Sequence, residues 1–410
     1  MSTAVVLCYP THGHIAPKMA VVEELVRRGE RVVYYSAERS RARIEQTGAE
    51  FRAYAYDHDV FDPYPPTEGL FSDMERLLKL AETMLPGLLQ ELRALQPDYL
   101  LLDSKSVWGN LAGQILALPA VTLSVVFALH KTLVNADYLV PRLYGGAAPD
   151  VLQRALVHLH HYFEIAQRLD RRYGTRCPNL VEFLGNPQPL NIIFTSQLFQ
   201  LGGEHFDERY KFVGPSLAPS RITQQTTMNF PFDQLNGDPL IYISLGTVFN
   251  ELPDFYRACF VAFADAPYQI VMAIGNHIER SQLGESPANF IISDFVPQLA
   301  ILARAALFIT HGGMNSANEG LRYGVPLLVV PQRGDQYMVA GRVAELGAGL
   351  PLLTPEATPA RLRKTVDQML AEPRFTQGAQ RVGQSLQIAG GYERAVDEIF
   401  HFKEKSGITG

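Results

Sequence analysis

Residues 4–36 read AVVLCYPTHGHIAPKMAVVEELVRRGERVVYYS, and this stretch decides the fold class. Ala4–Tyr9 is a short apolar run that stops at Pro10. Pro17–Arg28 carries Met19, Ala20, Val22, Leu25 and Val26 at helical spacing, and Gly29 closes it. Arg31–Ser36 is a second strand, rich in β-branched and aromatic residues. Strand, loop, helix, turn, strand is the unit of a parallel sheet covered by helices. The pattern recurs, with a helix ending near Leu95, a strand at Tyr99–Leu102, a helix over 106–118 and a strand at Ala120–Ser124.

A second series begins at Leu240–Ser244 and continues through Ile270–Ala273, Phe290–Ser293, Leu307–Thr310 and Pro326–Val330, with helices at Phe255–Phe263 and Asn315–Tyr323. Between the two series, residues 214–238 are rich in Pro, Ser, Thr, Gln and Asn, a linker composition. The expected architecture is therefore α/β: two facing, Rossmann-like doubly wound domains, 1–213 and 239–380, with a cleft at their strand carboxyl ends. Residues 381–410 are expected to form a helix that packs back on the N-terminal domain.

Bulk properties narrow the function. The 410 residues are 47% hydrophobic and 19% charged, as in ordinary globular proteins. A net charge of -6 and a pI near 6.0 argue against a nucleic-acid partner, although Arg39, Arg41 and Arg43 form a small basic patch. Cys8, Cys177 and Cys259 are too few and too scattered for a disulfide framework, so a reducing cytoplasm is expected. The N-terminus has no signal-peptide pattern, and no apolar run approaches the roughly 20 residues of a membrane span. A monomer or weak dimer is expected.

In the second series, Thr310-His311-Gly312-Gly313-Met314-Asn315-Ser316 lies between a strand and a helix. Adjacent glycines let main chain approach an anion, and helix N-terminal amides favour negative charge. His311, Asn315 and Ser316 add side-chain donors, and Glu319 adds an acceptor one turn on. Asp335-Gln336, on a loop after a strand and Pro331, offers two more groups suited to sugar hydroxyls. A plainer reading of the fragment is a tight turn with Asn315 or Ser316 as a helix cap.

The first series places His12 and His14 on the loop after the opening strand, in Pro10-Thr-His-Gly-His-Ile-Ala-Pro17. Activating a hydroxyl at neutral pH needs a base, and histidine is the natural one. Asp103, at the end of the strand Tyr99–Leu102, is placed by topology to fix that imidazole. Two metal readings are set aside. Asp57-His58-Asp59 sits in a Tyr/Pro-rich loop, and His158, His160 and His161 lack ligand spacing and a nearby acidic partner.

Taken together, Phe295-Val-Pro-Gln298-Leu, the Thr310–Glu319 string, Gly324-Val-Pro and Gly334-Asp-Gln336 resemble the donor signature of the UDP-glycosyltransferases of plants and bacteria. The resemblance is closest to the bacterial macrolide and flavonoid glucosyltransferases. It extends to Ser244-Leu-Gly-Thr247 and to the loop at Gly13-His14-Ile-Ala-Pro17. It implies a GT-B fold, with Phe295 stacked on uracil and Val296 and Gln298 at the base edge. His311, Gly313, Asn315, Ser316, Ser244 and Thr247 would hold the diphosphate, Glu319 the ribose, and Asp335 and Gln336 the hexose, glucose in related enzymes. His14 matches the catalytic base and Asp103 its partner.

The implied reaction is an inverting transfer of a hexose from a UDP-sugar to a hydroxyl, with no cofactor and no essential metal. Residues expected to line the acceptor pocket are His12, Tyr64, Phe71, Phe127 and Tyr138, and their apolar character suits a macrolide, polyphenol or similar lipophilic molecule. Two alternatives stay open at this point. One is a membrane-associated enzyme acting on a lipid, sterol or carotenoid, the other a non-catalytic nucleotide-sugar-binding relative.

Overall fold

The computed structural model describes all residues except 56–68, 131, 133–148, 227, 247–249 and 409–410. The chain forms two compact units, one made of Met1–Ala218 with Ala389–Gly410, the other of Pro219–Ile388.

The first unit is built on strands β1 (Thr3–Leu7), β2 (Arg31–Ser36), β3 (Glu50–Ala53), β4 (Tyr99–Asp103), β5 (Ala120–Ser124), β6 (Leu190–Ile193) and β7 (Tyr210–Phe212). They form one sheet in the order β3-β2-β1-β4-β5-β6-β7. Every pair in it is parallel. Helices α1 (His12–Arg27), α2 (Arg41–Glu45), α3 (Gly69–Leu95), α4 (Val107–Leu116), α5 (Pro149–Tyr173) and α6 (Leu180–Gly185) occupy the crossovers. β4 and β5 are buried throughout, as an all-parallel sheet covered on both faces requires.

The second unit runs α7 (Pro219–Thr226), β8 (Leu240–Ser244), α8 (Pro253–Phe263), β9 (Gln269–Ala273), β10 (Phe290–Ser293), α9 (Gln298–Leu302), β11 (Ala305–Thr310), α10 (Met314–Arg322), β12 (Leu327–Val329), α11 (Asp335–Glu345), β13 (Gly349–Pro351), α12 (Pro359–Ala371) and α13 (Pro373–Gln387). Its sheet has the order β10-β9-β8-β11-β12-β13 and is also parallel throughout.

Three details differ from the reading of the sequence. Helix α1 begins at His12 rather than Pro17, because the Thr11 carbonyl already accepts from the His14 and Ile15 amides at 3.0 Å. Pro17 is thus inside the helix, where it removes only the bond an amide at that position would give to Gly13. The stretch read as linker contains α7, and the 380/381 boundary falls within α13.

A last helix, α14 (Gly391–Lys405), belongs to the first unit. Its Ala395, Val396 and Ile399 are fully buried in the core that also contains Ala4, Val6, Val32 and Tyr34. Lys403 reaches Glu30 at 2.5 Å, and the same carboxylate accepts from Ser2 and from Tyr99 at 2.8 Å. A buried charge of this kind is tolerable only with such partners. Truncating Ile399 to alanine should cost about 2–5 kcal/mol, as for other buried isoleucines. Equilibrium denaturation would read this as a lower midpoint for the first unit, and an unchanged midpoint would show that α14 adds no core.

Candidate active site

In a doubly wound parallel sheet, ligands gather where neighbouring strands send their crossovers in opposite directions. In the first unit that point is the β1/β4 pair, whose ends are in register at Leu7 and Leu102. In the second it is the β8/β11 pair, in register at Ser244 and Thr310. The residues singled out from sequence cluster at these two places.

At the first switch point, the first turn of α1 brings His14 to the end of β4. His14 Nδ1 lies 2.9 Å from both carboxylate oxygens of Asp103. Asp103 is fully buried, and the His14 side chain is 12% exposed. The Lys105 amide donates to Asp103 Oδ1 at 2.8 Å, and the Asn186 side chain holds the Asp103 carbonyl at 3.0 Å. Lys18, one turn along α1 and fully buried, forms a close ion pair with Asp103 Oδ2. Burial works against ionisation of Asp103, but the adjoining imidazole and the Lys18 ammonium outweigh it and hold its carboxyl well below the usual range. Burial also lowers His14 below the ordinary imidazole value despite the facing carboxylate, which keeps the ring neutral. With Nδ1 turned to Asp103, Nε2 is the nitrogen left to take a proton.

His12 points elsewhere. It is exposed and lies 3.2 Å from Arg43. Within the small basic patch, Arg41 is paired with Glu38 and Glu45.

At the second switch point, His311 follows β11 and its ring is wedged between two loops. A Cβ at Gly246, whose φ is +83°, would sit 2.7 Å from His311 Cε1, and one at Gly313 would press on Nε2. The space that Gly246 and Gly313 leave is filled by the imidazole. Burial lowers His311 to about 4, against a smaller opposing effect of the hydrogen bond the ring donates to the Ser244 main-chain carbonyl. The ring is therefore neutral. Gly313 is the N-cap of α10 and no side chain caps it, which rules out the simple cap role for Asn315 and Ser316. Both lie in the first helical turn, partly exposed.

Glu319 is 2% exposed, and both its oxygens are engaged. Arg221 Nη1 donates to Oε1 at 2.6 Å, and Gln298 Nε2 donates to Oε2 at 2.6 Å. Tyr242 in turn donates to Gln298 Oε1 at 3.0 Å. Phe295 is 49% exposed on the loop after β10, and Val296 beside it is buried. Asp335 and Gln336 open helix α11 instead of lying on a loop, because Gly334, at φ 53°, turns the chain straight into the helix. Gln336 folds back so that its Oε1 accepts from the Gln332 amide at 2.8 Å. Thr247 lies outside the described residues.

A family model described as "Erythromycin biosynthesis protein CIII-like, C-terminal domain" matches residues 259–389. The chain is 36% identical to NDP-glycosyltransferase YjiC of Bacillus licheniformis over 97% of each protein. It is 34% identical, again over 97% of each, to YojK of Bacillus subtilis, named as an uncharacterized UDP-glucosyltransferase. This chain belongs to the bacterial UDP-glycosyltransferase family. It shares the GT-B fold with CalG4, the calicheamicin glycosyltransferase, at a TM-score of 0.80 and 28% identity over 99% of each chain.

In this glycosyltransferase several sequence expectations do not survive. Phe127 is buried against Phe199, with ring centroids 5.5 Å apart, because Gln200 clamps the neighbouring Ala128 main chain. Phe71 packs on the core around α3. Tyr64 and Tyr138, like Asp57-His58-Asp59, lie outside the described residues. His158 and His161 do have an acidic partner, Glu75 of α3, at 2.6 and 3.2 Å. Among the described residues, no group of three or more His, Cys, Asp or Glu is arranged to hold a metal, and no helix is long and apolar enough to cross a membrane.

Lys18 and Arg221 escaped the reading of the sequence. Lys18 carried a signal, a lone charge four residues from His14 within the apolar run Ile15–Val22, whereas Arg221 sat in apparent linker. If the His311 slot belongs to the nucleotide site, Gly313→Ala should weaken UDP binding at least tenfold, about 1.4 kcal/mol. Calorimetric titration of the folded variant checks this, and undiminished affinity would exclude the slot from that site.

Proposed function

We propose that this enzyme transfers a hexose, glucose foremost, from a UDP-sugar to a hydroxyl of a lipophilic natural product, with inversion at the anomeric carbon. The observation that carries the reading is the His14–Asp103 pair at 2.9 Å, which engages Nδ1 of a neutral, partly exposed imidazole and leaves Nε2 as its basic nitrogen. His14 Nε2 takes the acceptor hydroxyl proton as that oxygen forms its bond to the anomeric carbon. The bond from that carbon to the diphosphate breaks, and the leaving group departs with the electron pair. Asp103, already ionised, stabilises the imidazolium that forms.

The developing charge on the diphosphate is met by the N-terminal end of α10, which starts at Gly313 beside His311, so the chemistry calls for no metal ion. Exposed Phe295 provides a face for the base, and Asp335 and Gln336 provide groups for the hexose. The names of YjiC and YojK favour a nucleotide-hexose donor. The erythromycin-type family model and the calicheamicin enzyme favour a natural-product acceptor.

His14→Ala should lower turnover on a phenolic or macrolide acceptor by about 10²–10⁴-fold while UDP affinity stays within a factor of two or so. Mass spectrometry with UDP-glucose and an acceptor panel measures the first, calorimetry the second. Equal product from wild type and variant would eliminate His14 as the base. The wild-type kcat/KM profile should fall as pH drops through a value below about 6.5, since the imidazole pKa is lowered. Dialysis against a chelator should leave the rate intact; its complete loss, restored by a divalent cation, would refute the metal-free reading.

A further inference from the structure

Lys18 is a fully buried ammonium on a helix face otherwise given to Ile15, Met19 and Val22. Sinking a lysine there costs several kcal/mol unless the charge is paired and its protons are placed. Its Nζ meets Asp103 Oδ2 and also donates to the His14 carbonyl at 2.8 Å. Together with the His14 ring and the Lys105 amide, it completes the set of donors around the Asp103 carboxylate.

We propose that Lys18 is a positioning residue of the dyad, a fixed cation that holds Asp103 and the His14 turn together and keeps the imidazole free to act as a base. The proposal rests on His14 being that base. A buried carboxylate facing an imidazole alone draws a proton onto it, and an imidazolium cannot deprotonate an acceptor. With Lys18 in place the group is a cation, an anion and a neutral ring, with no net charge pulling on the proton. Helical spacing makes this possible, since residues 14 and 18 share one face and their side chains can reach the same carboxylate.

Lys105 also opposes protonation of the ring through space, but its charge does not sit on the carboxylate. The Lys105 ammonium lies over the Tyr9 ring, at 5.3 Å from its centre, and Tyr9 packs edge-on against His14 at 5.3 Å. Arg76 of α3 donates to the Tyr9 hydroxyl at 3.1 Å. Burial pushes the Cys8 thiol up to about 12, so it stays neutral. Among the described residues, Lys18 is the one cation whose side chain touches the Asp103 carboxylate.

The test compares wild type with Lys18→Met and Lys18→Gln, two neutral side chains of similar length, so that loss of one fold leaves the other informative. The His14 ring is titrated by NMR in ¹⁵N-histidine-labelled protein, its signal identified with His14→Gln, and kcat/KM is measured over the same pH range. Removing the cation should raise the His14 pKa by about one unit or more and carry the acid limb of the rate profile upward by the same amount. A folded variant whose His14 titrates as in wild type would make Lys18 a structural counter-ion only and overturn the proposal. A shifted titration with an unmoved rate profile would remove His14 as the base, and the assignment would fall with the reading beneath it.

Discussion

An all-parallel sheet cannot change winding direction without leaving two neighbouring strand ends whose crossovers depart to opposite sides. Both units of this glycosyltransferase place their chemistry on that constraint. β1 and β4 deliver His14 and Asp103; β8 and β11 deliver the Ser244–Gly246 turn and the His311 loop. The register of each pair decides which residues meet, so strand pairing far from any substrate sets the separation of the reacting groups. Local chain geometry then does the fine placement: the Thr11 carbonyl starts α1 early enough to put His14 in a first turn, and Gly313 lets an imidazole lie against the start of α10.

Three buried carboxylates show how the molecule handles charge away from water. Asp103 is paired with Lys18, Glu319 with Arg221, and Glu30 with Lys403. Each also accepts neutral hydrogen bonds, so no anion depends on one partner alone. At Asp103 the adjoining imidazole and the Lys18 ammonium keep the carboxylate ionised against the effect of burial. Breaking such a pair leaves the remaining charge stranded, which is more damaging than never having buried it.

Much of this was legible in residue order because fully buried parallel strands are short apolar runs bounded by glycine, proline or polar turns. β1, β4, β5, β8 and β11 are of that kind. β3, β7 and β13 escaped because they are edge strands of three or four residues with charged or proline positions, too short to show a period. The His-Gly-Gly string also has a packing role that residue order did not show, since Gly313 makes room for the His311 ring. Arg221 and the Glu75 partner of His158 were invisible because each contact joins residues far apart in sequence, 98 positions in the first case and 83 in the second. Phe127 looked like a pocket wall only because an aromatic side chain reads alike in a core and in a cavity.

The return of α14 to the first unit bears on how the chain is made. Ala395, Val396 and Ile399 leave the ribosome only after the whole of Pro219–Ile388, on the order of ten seconds later at ~5–20 residues per second. Until then the first sheet has an uncovered patch and Glu30 lacks its cation, while the second unit already has every residue it needs. Synthesis order and completion order are therefore inverted. The unit carrying His14 and Asp103 is translated first and finished last, so a nascent chain stalled anywhere in the second unit still lacks part of the first unit's core.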